Sequence, residues 1–269
     1  MIHHTRVAGH TVRLSRVGSG PAVVCLHGYP DDLSVFGRLQ AALSATHEVI
    51  AVDWPGLGCS EAVEGLAGPT ALSAWVRELV RELGLRDVVL LGHDMGGQPA
   101  LLAGADPNVR GVVAMNCLAM PDAPTSWELR VMRFGRLYGP ILRTLPRPVF
   151  WQCLATFLER RPDPALRQAV WASFSRRSVR EQLARMCEAY DAELPELPAR
   201  YAACGPALVL WSERDHHFDP AHGAGVVRAI PGASMRVLPG ARHWAVWERA
   251  EEVAAHVREV TPAWPARSG

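Results

Sequence analysis

Four apolar residues, Val88-Val89-Leu90-Leu91, run without a break into Gly92-His93-Asp94-Met95-Gly96-Gly97. A run this apolar fits a strand buried on both faces, and such strands sit in parallel sheets covered by helices. The glycines that follow permit a turn too tight for larger side chains. The chain is thereby committed to a strand, a sharp turn and a helix, with Asp94 at the apex in the form of a nucleophile elbow.

The residue at that apex constrains the chemistry. A serine needs a base before it can attack an acyl carbon, whereas an aspartate is already an anion at neutral pH. Carboxylate attack on an ester or amide gives a labile anhydride, so the useful target is a saturated carbon bearing a leaving group, as in an epoxide or a carbon–halogen bond. The dipole and free N–H groups of the following helix favour the ionised carboxylate. An aspartate before a helix can also be a plain N-cap, but the apolar strand and flanking glycines favour chemistry here.

Other short β-type runs fall at His10–Arg16, Ala22–Leu26, Glu48–Asp53, Gly111–Asn116, Ala207–Trp211 and Ser234–Leu238, separated by helical patterns. That alternation predicts βαβ units and a mostly parallel sheet. Thr70–Leu83 carries a helical stripe of Leu72, Trp75, Val76, Leu79, Val80 and Leu83, closed by Gly84. The alternation stops between Cys117 and Ala203, where helical patterns follow one another between Pro-marked ends at Pro121, Pro124, Pro195 and Pro198. This stretch reads as a helical insertion between two strands, with Arg-rich segments such as Arg176–Arg185 forming solvated faces.

Composition narrows the partners. A net charge of +1 over 269 residues offers no broad field for nucleic acid or an anionic membrane, and suits a neutral small molecule. Every basic residue apart from histidine is Arg, which excludes a Schiff-base lysine. Cys25, Cys59, Cys117, Cys153, Cys187 and Cys204 show no paired spacing, which predicts free thiols in a reducing compartment rather than disulfides or zinc. The first residues lack a secretory pattern and no apolar run approaches a membrane span, so a cytoplasmic location is expected. Monomer and homodimer both remain open.

Two further loops complete a constellation. Leu26-His27-Gly28-Tyr29-Pro30 ends an apolar strand, and the N–H groups of Tyr29 and Met95 are placed to share an oxyanion, with His27 counted among the substrate contacts. Asp215, after the strand ending at Trp211, and His243, after the last strand, follow Asp94 in the order nucleophile, acid, histidine. Around His216 and His217 no carboxylate or cysteine spacing makes a metal-binding set, so no metal is expected.

These residues, with Asp53-Trp54-Pro55-Gly56-Leu57-Gly58-Cys59-Ser60, resemble the α/β-hydrolase superfamily, specifically its aspartate-nucleophile branch of epoxide hydrolases and haloalkane and haloacetate dehalogenases. The resemblance implies a mostly parallel sheet flanked by helices, a core of residues 1–116 and 204–269, a lid of 117–203, and no cofactor. It implies lid donors to a leaving group: Tyr190 within Arg185–Asp191, with Trp151 or Tyr138 as its assistant. Met95 and Tyr29 stand where haloalkane dehalogenases are similar to one another in carrying halide-binding Trp and Asn or Glu. Met95 and Gln98 replace the arginine clamp of haloacetate dehalogenases. Asn116 stands where their orienting acid commonly lies, which leaves that role to Asp215. The expectation is epoxide opening through an Asp94 ester, with dehalogenation, a cofactor-free lyase, cyclase or isomerase, and a non-catalytic binder as alternatives.

Overall fold

Among the residues described by the computed structural model, 2–160 and 163–266 (backbone only at 135–136), eight strands pair into one sheet. They are β1 (Ile2–Val7), β2 (His10–Val17), β3 (Ala22–Leu26), β4 (Glu48–Val52), β5 (Val88–His93), β6 (Val109–Met115), β7 (Ala207–Ser212) and β8 (Ser234–Leu238), in the order β1-β2-β4-β3-β5-β6-β7-β8. From β4 across to β8 every pairing is parallel, while β1 and β2 join antiparallel at one edge. The interior strands β3, β5 and β7 are buried along their whole length, which is why their sequences read as continuous apolar runs rather than alternations.

β1 is absent from the strands expected above, and its composition explains why. Its residues are exposed except for Val7 and half-buried Thr5, as suits an edge strand, so no buried face marks it. It returns into β2 through Ala8-Gly9, both at positive φ, a hairpin turn without the usual Asn-Gly signal.

The helices are α1 (Gly37–Leu43), α2 (Pro69–Glu82), α3 (Gly97–Ala103), α4 (Trp127–Arg133), α5 (Gly135–Thr144), α6 (Pro146–Phe157), α7 (Pro164–Phe174), α8 (Arg177–Glu193), α9 (Leu197–Tyr201), α10 (Pro220–Ala229), α11 (Ala245–Glu248) and α12 (Ala250–Val260). α2 begins on Pro69, whose missing N–H costs nothing at that position, and Gly84 at φ 66 turns the chain just after it. Its stripe of Leu72, Trp75, Val76, Leu79 and Val80 is buried, each such side chain worth about 1.5–3 kcal/mol over leaving it in water. α4 to α9 lie between β6 and β7 in the chain, with α4 and α5 packed on α8. Among the described residues no disulfide joins the cysteines, and Cys59, unlike the other five, is exposed.

Candidate active site

Loops leaving the carboxyl ends of β3, β5, β6, β7 and β8 meet at one edge of the sheet, where a parallel arrangement places ligands. Asp94 follows β5 with φ 53, a left-handed backbone angle that few residues other than glycine adopt willingly. The strain is held by close packing around it. A Cβ on Gly28 would sit 2.2 Å from the Asp94 Cβ, and one on Gly96 would sit 2.0 Å from the Leu26 carbonyl oxygen. Those two glycines let the β3 loop and the elbow press together.

That contact sets the two carboxylate oxygens in different environments. Oδ1 of Asp94 accepts the backbone N–H of Tyr29 at 3.3 Å and that of Met95. Oδ2 lies 2.9 Å from His243 Nε2, and His243 Nδ1 lies 2.8 Å from Asp215 Oδ2. Both imidazole nitrogens therefore face carboxylates. Burial alone would depress the His243 pKa, but Asp215 and then Asp94 outweigh it and raise it to about 10. Burial likewise pushes Asp215 up, and the charge and hydrogen bond of His243 more than reverse it, leaving Asp215 below its ordinary value. Asp215 also accepts N–H bonds from His217 and Phe218 on Oδ1 and from the Asn116 amide on Oδ2. Asn116 is fixed in turn by accepting from the backbone and hydroxyl of Ser212.

A cavity of about 390 Å³ opens above Asp94. Its wall is mainly apolar, including Leu118, Met132, Ile141 and Phe157. Arg133 reaches it, but its guanidinium is already paired with Asp191 at 2.5 Å. Three phenols also reach the wall. The Tyr29 and Tyr138 hydroxyls lie 2.5 Å apart, and the Tyr190 hydroxyl donates to the Met95 carbonyl oxygen at 2.5 Å. Burial pushes all three well above the ordinary tyrosine range, so each keeps its proton at neutral pH.

Residues 23–256 match the sequence profile of a family described as the Alpha/beta hydrolase family. The chain belongs to that family. Among its relatives, the polyketide synthase ThaQ of Burkholderia thailandensis is 31% identical over 250 residues, covering 87% of this chain but 11% of that much longer protein. Haloalkane dehalogenase 2 of Mycobacterium tuberculosis is 27% identical over 257 residues, covering 90% of this chain and 88% of the other. In three dimensions this α/β-hydrolase superposes on haloalkane dehalogenase DbeA from Bradyrhizobium elkani with a TM-score of 0.82 at 20% identity, over 98% and 99% of the two chains, which is a likeness of fold.

Two residues expected at the substrate lie elsewhere in this α/β-hydrolase. Trp151, on α6, is 51% exposed, with the Arg167 guanidinium 5.6 Å from its ring centroid, and it lines an outer groove instead of the cavity over Asp94. An aromatic on the outer face of its helix cannot reach the elbow. His27 is fully buried, bonded through Nδ1 to the Gly28 carbonyl at 3.0 Å and through Nε2 to the Trp54 N–H at 3.4 Å. Burial depresses its pKa, and the neutral ring pins the Tyr29 loop to the loop after β4.

Contacts not anticipated from sequence also surround the site. The lid brings Glu128 to within 3.0 Å of His216, and with His217 these residues place potential metal ligands within 4.8 Å of one another. Both ring nitrogens of His217 already bond to hydroxyls, of Ser126 and Thr156 on the lid, each at 2.9 Å. The cluster thus clasps the lid to the β7 loop. Behind Asp94, Asp215 and His243, the His93 Nε2 donates to the His243 carbonyl at 2.9 Å. Its Nδ1 faces Asp31 at 3.9 Å, and neither Asp31 oxygen has a hydrogen-bond partner. Burial, then the negative charge of Asp94, holds the Asp31 carboxyl well above its ordinary range, while burial and His243 depress His93 to about 4. His93 is therefore neutral at pH 7, and burial favours the protonated form of Asp31.

An acid whose folded-state pKa lies above its unfolded value costs stability as pH rises through the unfolded value, and the cost grows until the folded pKa is reached. Asp31→Asn is accordingly expected to raise Tm at neutral pH, by about 2–4 °C for each kcal/mol recovered. The gain should shrink as pH falls through ~4, the ordinary aspartate value, and vanish below it, where Asp31 is protonated in both states. Thermal melts across pH check this. A variant less stable than the parent at pH 7 contradicts it.

Proposed function

We propose that this α/β-hydrolase opens an epoxide on an apolar molecule through a covalent ester on Asp94. The supporting observation is the division of labour on the carboxylate, with two amides on Oδ1 and a doubly flanked histidine on Oδ2. Oδ2 attacks the epoxide carbon while the C–O bond breaks, and its electron pair stays on the departing oxygen, which takes a phenolic proton. Oδ1 becomes the ester carbonyl oxygen, already seated between the Tyr29 and Met95 amides where an oxyanion later forms.

Esterification neutralises Asp94 and so removes one of the two carboxylates that raise His243. The imidazolium can then return a proton to the phenolate and become a neutral base. It takes a proton from water, whose oxygen attacks the ester carbonyl. Collapse expels the diol oxygen, which takes the proton of the newly added hydroxyl, and the Asp94 carboxylate reappears beside protonated His243. The net change is addition of one water.

The phenol that serves the departing oxygen is best assigned to the Tyr29–Tyr138 pair. In such a pair one hydroxyl donates to the other, and the acceptor keeps an uncommitted O–H. Tyr190 has spent its proton on the Met95 carbonyl and braces the elbow. Tyr138→Phe is expected to slow ester formation about 10²-fold, the usual worth of a positioned proton donor, and Tyr190→Phe to slow it less. Single-turnover quenching followed by mass spectrometry of the ester measures both. A larger loss in Tyr190→Phe reassigns the donor.

Dehalogenation by the same two steps is the second reading, favoured by the named activity of the mycobacterial relative. Met95 supplies no side-chain N–H for a halide. A substrate panel scored for diol formation and for chloride or bromide release separates the two readings.

A further inference from the structure

The mouth of the cavity carries apolar side chains in water. Trp127 and Leu145 line the cavity yet are 62% and 51% exposed, and Phe134 and Leu137 beside them are 64% and 62% exposed. They belong to two helical stripes. Trp127, Val131 and Phe134 are spaced i, i+4, i+7 along and just beyond α4, and Leu137, Ile141 and Leu145 are spaced i, i+4, i+8 along and just beyond α5. Val131 and Ile141, the middle members, face the cavity. Each stripe thus runs from solvent into the site, and large side chains grouped in this way on a soluble surface mark a contact.

Charge indicates what the contact is. Between Trp127 and Val149 the sequence has five arginines and a single acidic residue, Glu128. Glu128 is engaged by His216, and Arg133 by Asp191. Arg130, Arg143 and Arg147 are exposed; Arg143 lies within electrostatic reach of Glu181 on α8, and the Arg147 guanidinium is 5.8 Å from the Trp171 ring centroid. The whole chain carries only +1, so the cationic character is local to the apolar rim. A second copy of the chain fits poorly, because a two-fold contact would set these arginines against their own counterparts. An anionic lipid surface offers hydrocarbon for Trp127, Phe134 and Leu137 and phosphates for the arginines. No described helix is long and apolar enough to cross a membrane, so the contact is peripheral.

We propose that this lid face docks on anionic bilayers and takes an apolar substrate from the lipid directly into the cavity. The inference does not depend on which leaving group the site handles, because its test reads binding alone. Co-sedimentation with phosphatidylcholine vesicles containing phosphatidylglycerol, against phosphatidylcholine vesicles alone, is the measurement. Binding is expected with the anionic vesicles, weakening as sodium chloride is raised. Arg130→Gln and Arg143→Gln should each lower affinity about fivefold, and Phe134→Ser with Leu137→Ser should abolish binding. None of these four residues lines the cavity, and unchanged melting curves confirm that the variants fold. Failure to bind anionic vesicles, equal binding to neutral ones, or wild-type binding by the Phe134/Leu137 variant overturns the proposal. So does a dimer in analytical ultracentrifugation that the same substitutions dissociate, since the face would then be an interface between copies.

Discussion

His243→Gln is expected to yield a protein that consumes one equivalent of epoxide and stops. Asp94 needs no deprotonation to attack, so the first step does not require an imidazole base. The second step does, because water is a poor nucleophile toward an ester until a base takes its proton. Glutamine keeps a polar side chain near Oδ2 but cannot serve as that base. Turnover should fall by about 10³-fold or more, and intact-protein mass spectrometry should show Asp94 carrying the added mass of the substrate. Loss of turnover with no adduct, under conditions where the parent turns over, would place His243 in the first step instead. Asp215→Asn should give a milder form of the same defect, since Asp215 holds the ring orientation and charge without touching the reacting atoms.

Asp94→Asn carries an equally large expected loss for a different reason. The amide fills the same space between the Tyr29 and Met95 N–H groups, so the cavity and fold should survive. On the proposed ester route, what disappears is the nucleophile itself, and with it both steps. Removing the nucleophile of a covalent mechanism typically costs at least about 10⁴-fold in rate. The variant should form no adduct while retaining affinity for the substrate, which separates it from His243→Gln by mass alone. Substantial residual turnover in Asp94→Asn would point to direct attack by water, or to the non-hydrolytic acid–base chemistry held as an alternative.

The core was legible because its determinants are local. Buried parallel strands announce themselves as apolar runs, as in Val88–Leu91. The glycines at 28 and 96 are required by contacts under 3 Å that any Cβ would make. Asp94 and Asp215 follow such strands and His243 follows the more exposed parallel strand β8, so sheet topology brings all three to one edge. The lid was harder, since its meaning lies in packing between distant segments. Tyr29 and Tyr138 meet across 109 residues, and Glu128 and His216 across 88. Nothing in periodicity says that Tyr190 aims at a backbone carbonyl or that Trp151 faces outward. Asp31 carries no signal in the sequence, because a polar residue after a Pro turn normally reads as solvated, whereas here it is buried.

The claim that an ester forms on Asp94 is tested most directly by one turnover in heavy-oxygen water with enzyme in excess over an epoxide. The ester route leaves the new hydroxyl of the first product unlabelled, because that oxygen comes from Oδ2, and puts the label into the Asp94 carboxylate. A labelled diol with an unlabelled Asp94 after a single turnover would mean that water attacked carbon directly, and the covalent route would be wrong.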